Sequence, residues 1–161
     1  MKTDFKTLLS KLSKNGFDFV LVGGFAAAAY GSSYVTHDLD ICAVLTPANI
    51  EKLRAILSDL HPAHRMTPKK LSFIEIPEDL HGINNLYLQT DAGVLDIISN
   101  VIGVGDFAEV LKSAVEIQIF GHKCKVISLQ DLIRCKQALK RPKDLLVAAE
   151  LEIIRQKKVK D

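Results

Sequence analysis

The stretch from Val22 to Ile41 constrains the fold of this chain most, because it joins a glycine turn to two closely spaced carboxylates. Gly23 and Gly24 follow the apolar run 19–22 and precede the helix-forming run 25–30, an order that predicts a strand, a tight turn and a helix. Such a turn lets a phosphate approach backbone N–H groups at the start of the helix. Gly23 and Gly24 are therefore candidate phosphate-binding residues.

The two carboxylates belong to Asp38 and Asp40, which we expect on one strand. Alternate side chains of a strand share a face, so both carboxylates point the same way while Leu39 and Ile41 point into the core. Adjacent carboxylates repel each other unless a cation lies between them, and Mg²⁺ prefers carboxylate and phosphate oxygens. An isolated Asp-x-Asp more often marks a solvated strand end, but its position after the glycine turn favours a metal site.

Hydrophobic periodicity predicts the remaining elements of an α/β chain. Predicted helices cover residues 4–14, 47–60, 107–114, 128–139 and 142–156, with Asp4, Thr46 and Ser128 as N-terminal caps. Predicted strands cover residues 39–45, 71–76, 85–89, 94–98, 116–120 and 123–127. The polar, proline-containing stretch 61–70 is interpreted as a surface loop, and no internal repeat or linker divides the chain.

The order of Gly-Gly, a short helix ending at Gly31, the pair Ser32-Ser33, Thr36 and the motif 38–40 resembles the signature of the nucleotidyltransferase superfamily that includes DNA polymerase β. The resemblance implies an α/β (α+β) fold, with a mixed sheet, helices packed mainly on one face and the site at the strand ends. We expect a single domain over residues 1–161, with 128–156 as its C-terminal helical element.

Members of this superfamily carry a third carboxylate on a later strand, and Asp96 lies in such a position. The apolar residues on both sides of Asp96 predict a central strand, where a carboxylate is costly unless it binds a cation. The resemblance thus implies that Asp38, Asp40 and Asp96 hold two Mg²⁺ or Mn²⁺ ions, and that Asp96 also helps to take a proton from the acceptor.

The implied reaction is transfer of a nucleoside monophosphate from an NTP to an acceptor hydroxyl, with release of pyrophosphate. The backbone at Gly23 and Gly24, together with Ser32 or Ser33, would hold the β- and γ-phosphates. The acceptor stays open between a small molecule, an RNA end and a protein. A catalytically silent nucleotide-binding or partner-binding module is the alternative, for example one component of a toxin–antitoxin pair with a partner protein from an adjacent gene.

The C-terminal run resembles that of small bacterial nucleotidyltransferases of the minimal and abortive-infection types, through residues 128–133, Lys136 and the turn 141–144. In those proteins a helix places a lysine near the triphosphate. A lysine on an amphipathic helix is usually solvated, but together with the upstream motif the pattern favours a phosphate contact by Lys136.

One position departs from the family pattern. Many relatives carry arginine between the helix-ending glycine and the threonine, where this chain has Tyr34. Tyrosine offers phosphate neither the charge nor the forked donors of a guanidinium. Weaker triphosphate binding, a different substrate and lost activity are the three consequences to distinguish.

Composition sets further bounds on function. The formal net charge is only +2, and much of the basic excess lies at 155–160, so there is no broad electrostatic case for a nucleic-acid partner. Tryptophan is absent, and no aromatic platform for stacking a single strand is evident. The three cysteines follow no ligand spacing and suit a reducing cytoplasm. No apolar stretch is long enough to span a bilayer, so we expect a cytoplasmic protein without a membrane partner.

Overall fold

The computed structural model of this chain describes residues 3–160, and the side chains of residues 3–158. Its α-helices are α1 (Phe5–Lys14), α2 (Gly23–Ala29), α3 (Pro47–Leu57), α4 (Phe107–Ser113), α5 (Leu129–Leu139) and α6 (Pro142–Lys160), and a 3₁₀ turn at Ser58–Leu60 extends α3. Its strands are β1 (Val20–Val22), β2 (Asp38–Cys42), β3 (Ala63–His64), β4 (Asn85–Thr90), β5 (Gly93–Ile98), β6 (Asn100–Val101), β7 (Gly105–Asp106), β8 (Val115–Ile119) and β9 (His122–Val126).

Seven of the strands form one mixed sheet in the order β3-β4-β5-β2-β1-β9-β8, while β6 and β7 form a separate small hairpin. The pairs β2·β5 and β1·β9 are parallel, and the other neighbours are antiparallel. The central strands β1, β2 and β5 lie between other strands on both sides, so their backbone groups are paired within the sheet. This arrangement confirms the mixed sheet predicted from the sequence.

The helices begin where the sequence predicts because short polar side chains accept hydrogen bonds from the first turn. Asp4 accepts from the backbone N–H of Thr7, Thr46 from that of Asn49, and Ser128 from that of Asp131. Helix α1 contacts α3 and β9, and its leucines are fully buried. The apolar faces of α1 and α3 are thereby buried in the core, with α1 against the sheet at β9.

Two segments between α3 and β4 differ from the sequence-based predictions. The strand predicted at 71–76 is wrong: those residues form turns, with one isolated bridge between Ala63 and Ser72. Their apolar character reflects Phe73, which is fully buried beside Arg54, whose Nε donates to the Phe73 carbonyl at 2.7 Å. The stretch 61–70, predicted as a loop, contains the short strand β3 paired with β4.

None of the helices within residues 3–160 is long and apolar enough to cross a membrane.

Candidate active site

Three aspartates lie side by side in the middle of the sheet. Asp40 on β2 and Asp96 on β5 are direct partners in the parallel register, and Asp38 lies two residues before Asp40 on the same face. The alternating residues Leu39 and Ile41 are fully buried on the other face. The carboxylates that the sequence singled out therefore occupy one row across two adjacent strands.

The turn between β1 and α2 approaches this row very closely. Gly23 has a φ of +69°, and a Cβ atom built on it would lie 2.2 Å from the Asp40 Oδ2 atom. A Cβ atom on Gly24 would lie 2.7 Å from the Thr36 Oγ1 atom. A larger residue at Gly23 would collide with Asp40 on β2, and one at Gly24 would collide with Thr36 in the segment before β2. The two glycines thus bring backbone and carboxylates together, while contact with a phosphate stays a prediction.

The carboxylate row carries unbalanced negative charge. Burial, followed by repulsion from Asp96 and Asp38, raises the pKa of Asp40 to about 7, although Lys136 and Arg65 pull it down. Burial also raises the pKa of Asp96, against the lowering effect of the Arg65 guanidinium. A site in which ionised carboxylates are this unfavourable favours the arrival of positive charge.

The donors suit a divalent cation in chemistry, but they are not gathered into a ready-made cage. Carboxylate oxygens are hard ligands of the kind that Mg²⁺ and Mn²⁺ take. Within residues 3–158, however, no group of three or more His, Cys, Asp or Glu side chains is arranged to hold a metal ion. Asp38 and Asp40 fit such an ion, whereas the Asp96 carboxylate already has another partner.

That partner is Arg65, a residue the sequence analysis missed. Its Nε donates to Asp96 Oδ1 at 3.1 Å and its Nη2 donates to Asp96 Oδ2 at 2.5 Å, so the guanidinium forks onto both oxygens. Arg65 directly follows β3, and its backbone N–H donates to the Tyr87 carbonyl at 3.0 Å. No spacing rule in the sequence could have found this contact, because it depends on the pairing of the two-residue strand β3 with β4.

A cleft of about 390 Å³ opens beside Asp38 and Asp40. Gly24, Ser32, Tyr34 and Lys136 line this cleft, whereas Gly23, Ser33 and Asp96 are not among its lining residues. Arg141 and Lys143, from the turn before α6 and its first residues, also line it. Asp38 and Asp40 thus line the cleft together with a group of cations, Lys136, Arg141 and Lys143, which with Asp144 among them we call its basic wall.

Lys136 lies on this basic wall, but its side chain is neither solvent-exposed nor unpaired. Its side chain is 13% exposed, and its Nζ lies 3.2 Å from Asp144 Oδ1. The Nε of Arg141 donates to the other oxygen of the same carboxylate at 2.5 Å. The predicted solvated alternative for Lys136 is therefore wrong, because the lysine is largely buried and held toward the cleft.

Ser32 and Ser33 already donate to a carboxylate. Ser32 Oγ donates to Glu150 Oε1 at 2.6 Å, and Ser33 Oγ donates to Glu150 Oε2 at 2.5 Å. The backbone N–H of Ser33 donates to the same group. The serines thus fasten the segment after α2 to helix α6, and a phosphate would have to displace Glu150 to reach both hydroxyls.

Comparison with solved structures identifies the architecture. A lincosamide antibiotic adenylyltransferase, LnuA, solved with lincomycin bound, superposes with a TM-score of 0.61 over 96% of this chain and 99% of its own, at 17% identity. The aminoglycoside enzyme ANT(2″)-Ia, solved with adenylyl-2″-tobramycin, gives a TM-score of 0.53 over 93% of this chain and 91% of its own, at 15% identity. This chain has the nucleotidyltransferase fold.

A solution structure of ANT(2″)-Ia agrees, with a TM-score of 0.54 over 96% of this chain and 88% of its own, at 16% identity. No protein-family profile and no curated protein matches the sequence. The resemblance recognised in the sequence motifs is therefore confirmed at the level of the nucleotidyltransferase fold.

Proposed function

We propose that this protein transfers a nucleoside monophosphate from an NTP to an acceptor hydroxyl and releases pyrophosphate. The observation that carries the proposal is the register of the parallel strands β2 and β5, which sets Asp40 beside Asp96 with Asp38 on the same face. This row adjoins both the glycine turn and a cleft with a basic wall. A nucleotidyltransferase fold with these groups in these places supports phosphoryl transfer over other chemistries.

The chain's own residues divide between positioning and proton transfer. Lys136, with Arg141 and Lys143 on the same wall, would bind the triphosphate through charge-assisted hydrogen bonds. The acceptor oxygen would attack the α-phosphorus, the bond to the pyrophosphate oxygen would break, and the hydroxyl proton would pass to a carboxylate. Asp96 is the proposed proton acceptor, because burial raises its pKa and a more basic carboxylate takes a proton more readily.

Asp38 and Asp40 would hold a divalent cation, and Asp96 would complete a second site once its carboxylate is released from Arg65. Bound Mg²⁺ or Mn²⁺ would supply charge that stabilises the pentacoordinate phosphoryl group and the departing pyrophosphate. The repulsion that Asp38 and Asp96 exert on Asp40 supports this assignment.

We propose a small molecule as the acceptor to test first. LnuA, named an antibiotic adenylyltransferase and solved with lincomycin, and ANT(2″)-Ia, solved with adenylyl-2″-tobramycin, both pair this fold with small hydroxyl-bearing compounds. Their coverage of more than nine tenths of this chain supports a comparable site layout. An RNA end and a protein hydroxyl stay as outcomes that the same assay detects.

The test is a transfer assay with each α-³²P-labelled NTP and Mg²⁺ or Mn²⁺, against pooled antibiotics and against cell lysate. We expect label on an acceptor with wild-type protein and none with Asp40→Asn or with chelator. Label on RNA or on a protein band would identify that molecule, and not a small molecule, as the acceptor. No label under any of these conditions would contradict the proposed transferase activity.

A silent nucleotide-binding or partner-binding module is the second candidate, and the Glu150 contact favours it. Glu150 occupies the hydroxyls of Ser32 and Ser33 that a phosphate would use. Metal-dependent NTP binding without any transfer in the same assay would support this module, including a role within a two-gene toxin–antitoxin pair.

A further inference from the structure

The pairing of Arg65 with Asp96 places a cation where the proposed reaction needs the carboxylate to be open. The side chain of Asp96 is 11% exposed and that of Arg65 is 27% exposed, so the pair lies largely out of solvent. The two guanidinium nitrogens reach separate carboxylate oxygens, at 3.1 and 2.5 Å. A forked pair of this kind engages both oxygens with which Asp96 would bind another cation.

The charge balance of the row makes this pairing consequential. When Asp38, Asp40 and Asp96 are all ionised they carry three negative charges, and Arg65 offsets one of them, so two remain. Lys136, which also lines the cleft, is engaged by Asp144. With Arg65 in place, the row therefore balances one divalent cation, and a second divalent cation would bring excess positive charge.

The Arg65 guanidinium also contacts an aromatic ring, which would hold it in the site after it leaves Asp96. The Arg65 Cζ atom lies 5.4 Å from the centroid of the Tyr87 ring, and Tyr87 is opposite Asp96 in the β4·β5 register. The stacked arrangement is favourable by itself. Rotation about the terminal side-chain bonds would free Asp96 while the guanidinium stays over the Tyr87 ring.

We infer that Arg65 competes with the acceptor-side divalent cation for Asp96, and thus acts as a positioning residue that holds the third carboxylate until that cation arrives. The inference rests on the proposed function for the identity of the site. It predicts one cation held at Asp38 and Asp40 in the absence of substrate, and a second only when Arg65 leaves Asp96.

The experiment measures Mn²⁺ binding to the folded chain without nucleotide, from the loss of the free-ion electron paramagnetic resonance signal. Wild type is expected to bind one Mn²⁺ with measurable affinity and a second much more weakly. Arg65→Ala should tighten the second binding step by about tenfold, within the usual range for coupled sites. The combined variant Arg65→Ala with Asp96→Asn should lose that gain, because the freed carboxylate is gone.

Lys70→Ala provides the matched control. Lys70 lies in the same loop and carries the same charge, but its Nζ donates a hydrogen bond to Gln89 Oε1 at 2.8 Å and not to the carboxylate row. Its loss should leave both Mn²⁺ binding steps unchanged. An equal gain in Lys70→Ala would mean that loop charge alone governs binding, and would overturn the inference.

A second measurement covers the case in which Arg65→Ala does not fold. Arg65→Lys keeps the charge but loses the fork, and should show a smaller gain than the alanine variant. In wild type, the arginine Nε–H resonance that is missing from Arg65→Lys should move when Mg²⁺ and a non-hydrolysable NTP analogue are added. An unmoved resonance with ligand bound, or no gain in any Arg65 variant, would overturn the inference.

Failure of the inference and failure of the proposed function are separable. A wild type that transfers label, with Arg65 variants that gain no Mn²⁺ affinity, overturns only the role of Arg65. If Arg65→Ala gains Mn²⁺ affinity only when Asp96 is present, and the protein never transfers label, the competition between Arg65 and the cation is supported and the proposed transferase activity is contradicted.

Discussion

Asp40 and Asp144 are both largely buried and line the same cleft, yet their pKa values are shifted in opposite directions. Burial and repulsion from Asp96 and Asp38 raise the pKa of Asp40 to about 7. Burial also acts to raise the pKa of Asp144, but hydrogen bonds from Arg141 and Lys136 outweigh it and hold that pKa below its usual range. Hydrogen-bonded cations thus outweigh burial at Asp144, whereas burial and neighbouring carboxylates outweigh the more distant cations at Asp40.

The contrast separates a structural ion cluster from an incomplete one. Asp144 anchors the start of α6 and holds Lys136 and Arg141, two of the cations that line the cleft. Asp40 has carboxylates and a glycine turn around it, and its charge is left for a ligand to balance. Buried groups with unfavourable charge in a cleft are typical of functional sites, whereas paired ones more often serve the fold.

The largest expected effect comes from removing the carboxylates of the row. Asp38→Asn and Asp40→Asn should lose both metal-dependent NTP binding and transfer, the latter by about a thousandfold. Asp96→Asn should keep most NTP binding and lose transfer, since it acts on the acceptor side. Calorimetric NTP titration and the labelled-NTP assay measure the two properties. An Asp96→Asn variant that transfers as well as wild type would contradict the assignment of the third carboxylate.

The next effect is on stability, and its sign should differ between the two aspartates. In chelator at pH 8, Asp144→Asn should lower the free energy of unfolding by about 2 kcal/mol, because it leaves Lys136 largely buried with a weaker partner. Asp40→Asn should raise it, by up to about 4 kcal/mol, because an unfavourable charge is removed. Urea unfolding measures both. Glu152→Gln, which breaks an exposed pair with Arg155 on α6, is the control and should change little.

The pH dependence of the same measurement follows from the direction of the Asp40 shift. Its folded pKa of about 7 lies above the ordinary value of 3.8, so the folded chain keeps a proton that the unfolded chain has lost. The contribution of Asp40 to the free energy of unfolding therefore falls as the pH rises from about 4 to about 7. The difference between wild type and Asp40→Asn should grow over that interval. A constant difference would contradict the unbalanced charge at Asp40.

How far the sequence predicts this molecule depends on the range of the interactions involved. The helix caps, the glycine turn and the alternation around Asp38 and Asp40 are local, and the sequence predicts them correctly. The position of Asp96 beside them was predicted from the third carboxylate that the superfamily resemblance implies, on a strand indicated by the apolar residues around it, and the register of β2 and β5 confirms it.

Long-range side-chain contacts could not be predicted in the same way. Ser32 and Glu150 lie 118 residues apart, and Arg65 and Asp96 lie 31 residues apart. Each contact depends on how a short segment is placed against a distant helix or strand, and neither leaves a periodic pattern in the sequence. The strand wrongly predicted at 71–76 has the same origin, since Phe73 is buried by packing on Arg54 and not by sheet pairing.

A smaller effect tests whether the basic wall serves the ligand as well as the fold. Lys136→Ala should weaken Mg-NTP binding by about tenfold, because one charge-assisted contact to phosphate is lost. Lys140 directly follows α5, with a left-handed φ of +60°, and is exposed, so Lys140→Ala should change NTP affinity little. Calorimetric titration compares the NTP affinities of the two variants. Urea unfolding measures how far the loss of the Lys136–Asp144 pair lowers stability. Equal affinities in both would return Lys136 to a purely structural role beside Asp144.

The smallest effect concerns Tyr34, where the chain departs from the family pattern. Tyr34 lines the cleft and is 37% exposed, so a longer side chain at this position can extend into the cleft without disturbing the core. An arginine there would add a forked cation to the basic wall that Lys136 and Arg141 already form. Tyr34→Arg should tighten Mg-NTP binding by about threefold, a modest gain because the site is partly solvated and the added charge is screened. Calorimetric titration in low and high salt measures it, with Tyr34→Lys as the control that adds charge without the fork. Unchanged NTP affinity with a raised KM for the acceptor would show that the tyrosine ring contacts the acceptor and that the missing arginine is not a loss to triphosphate binding.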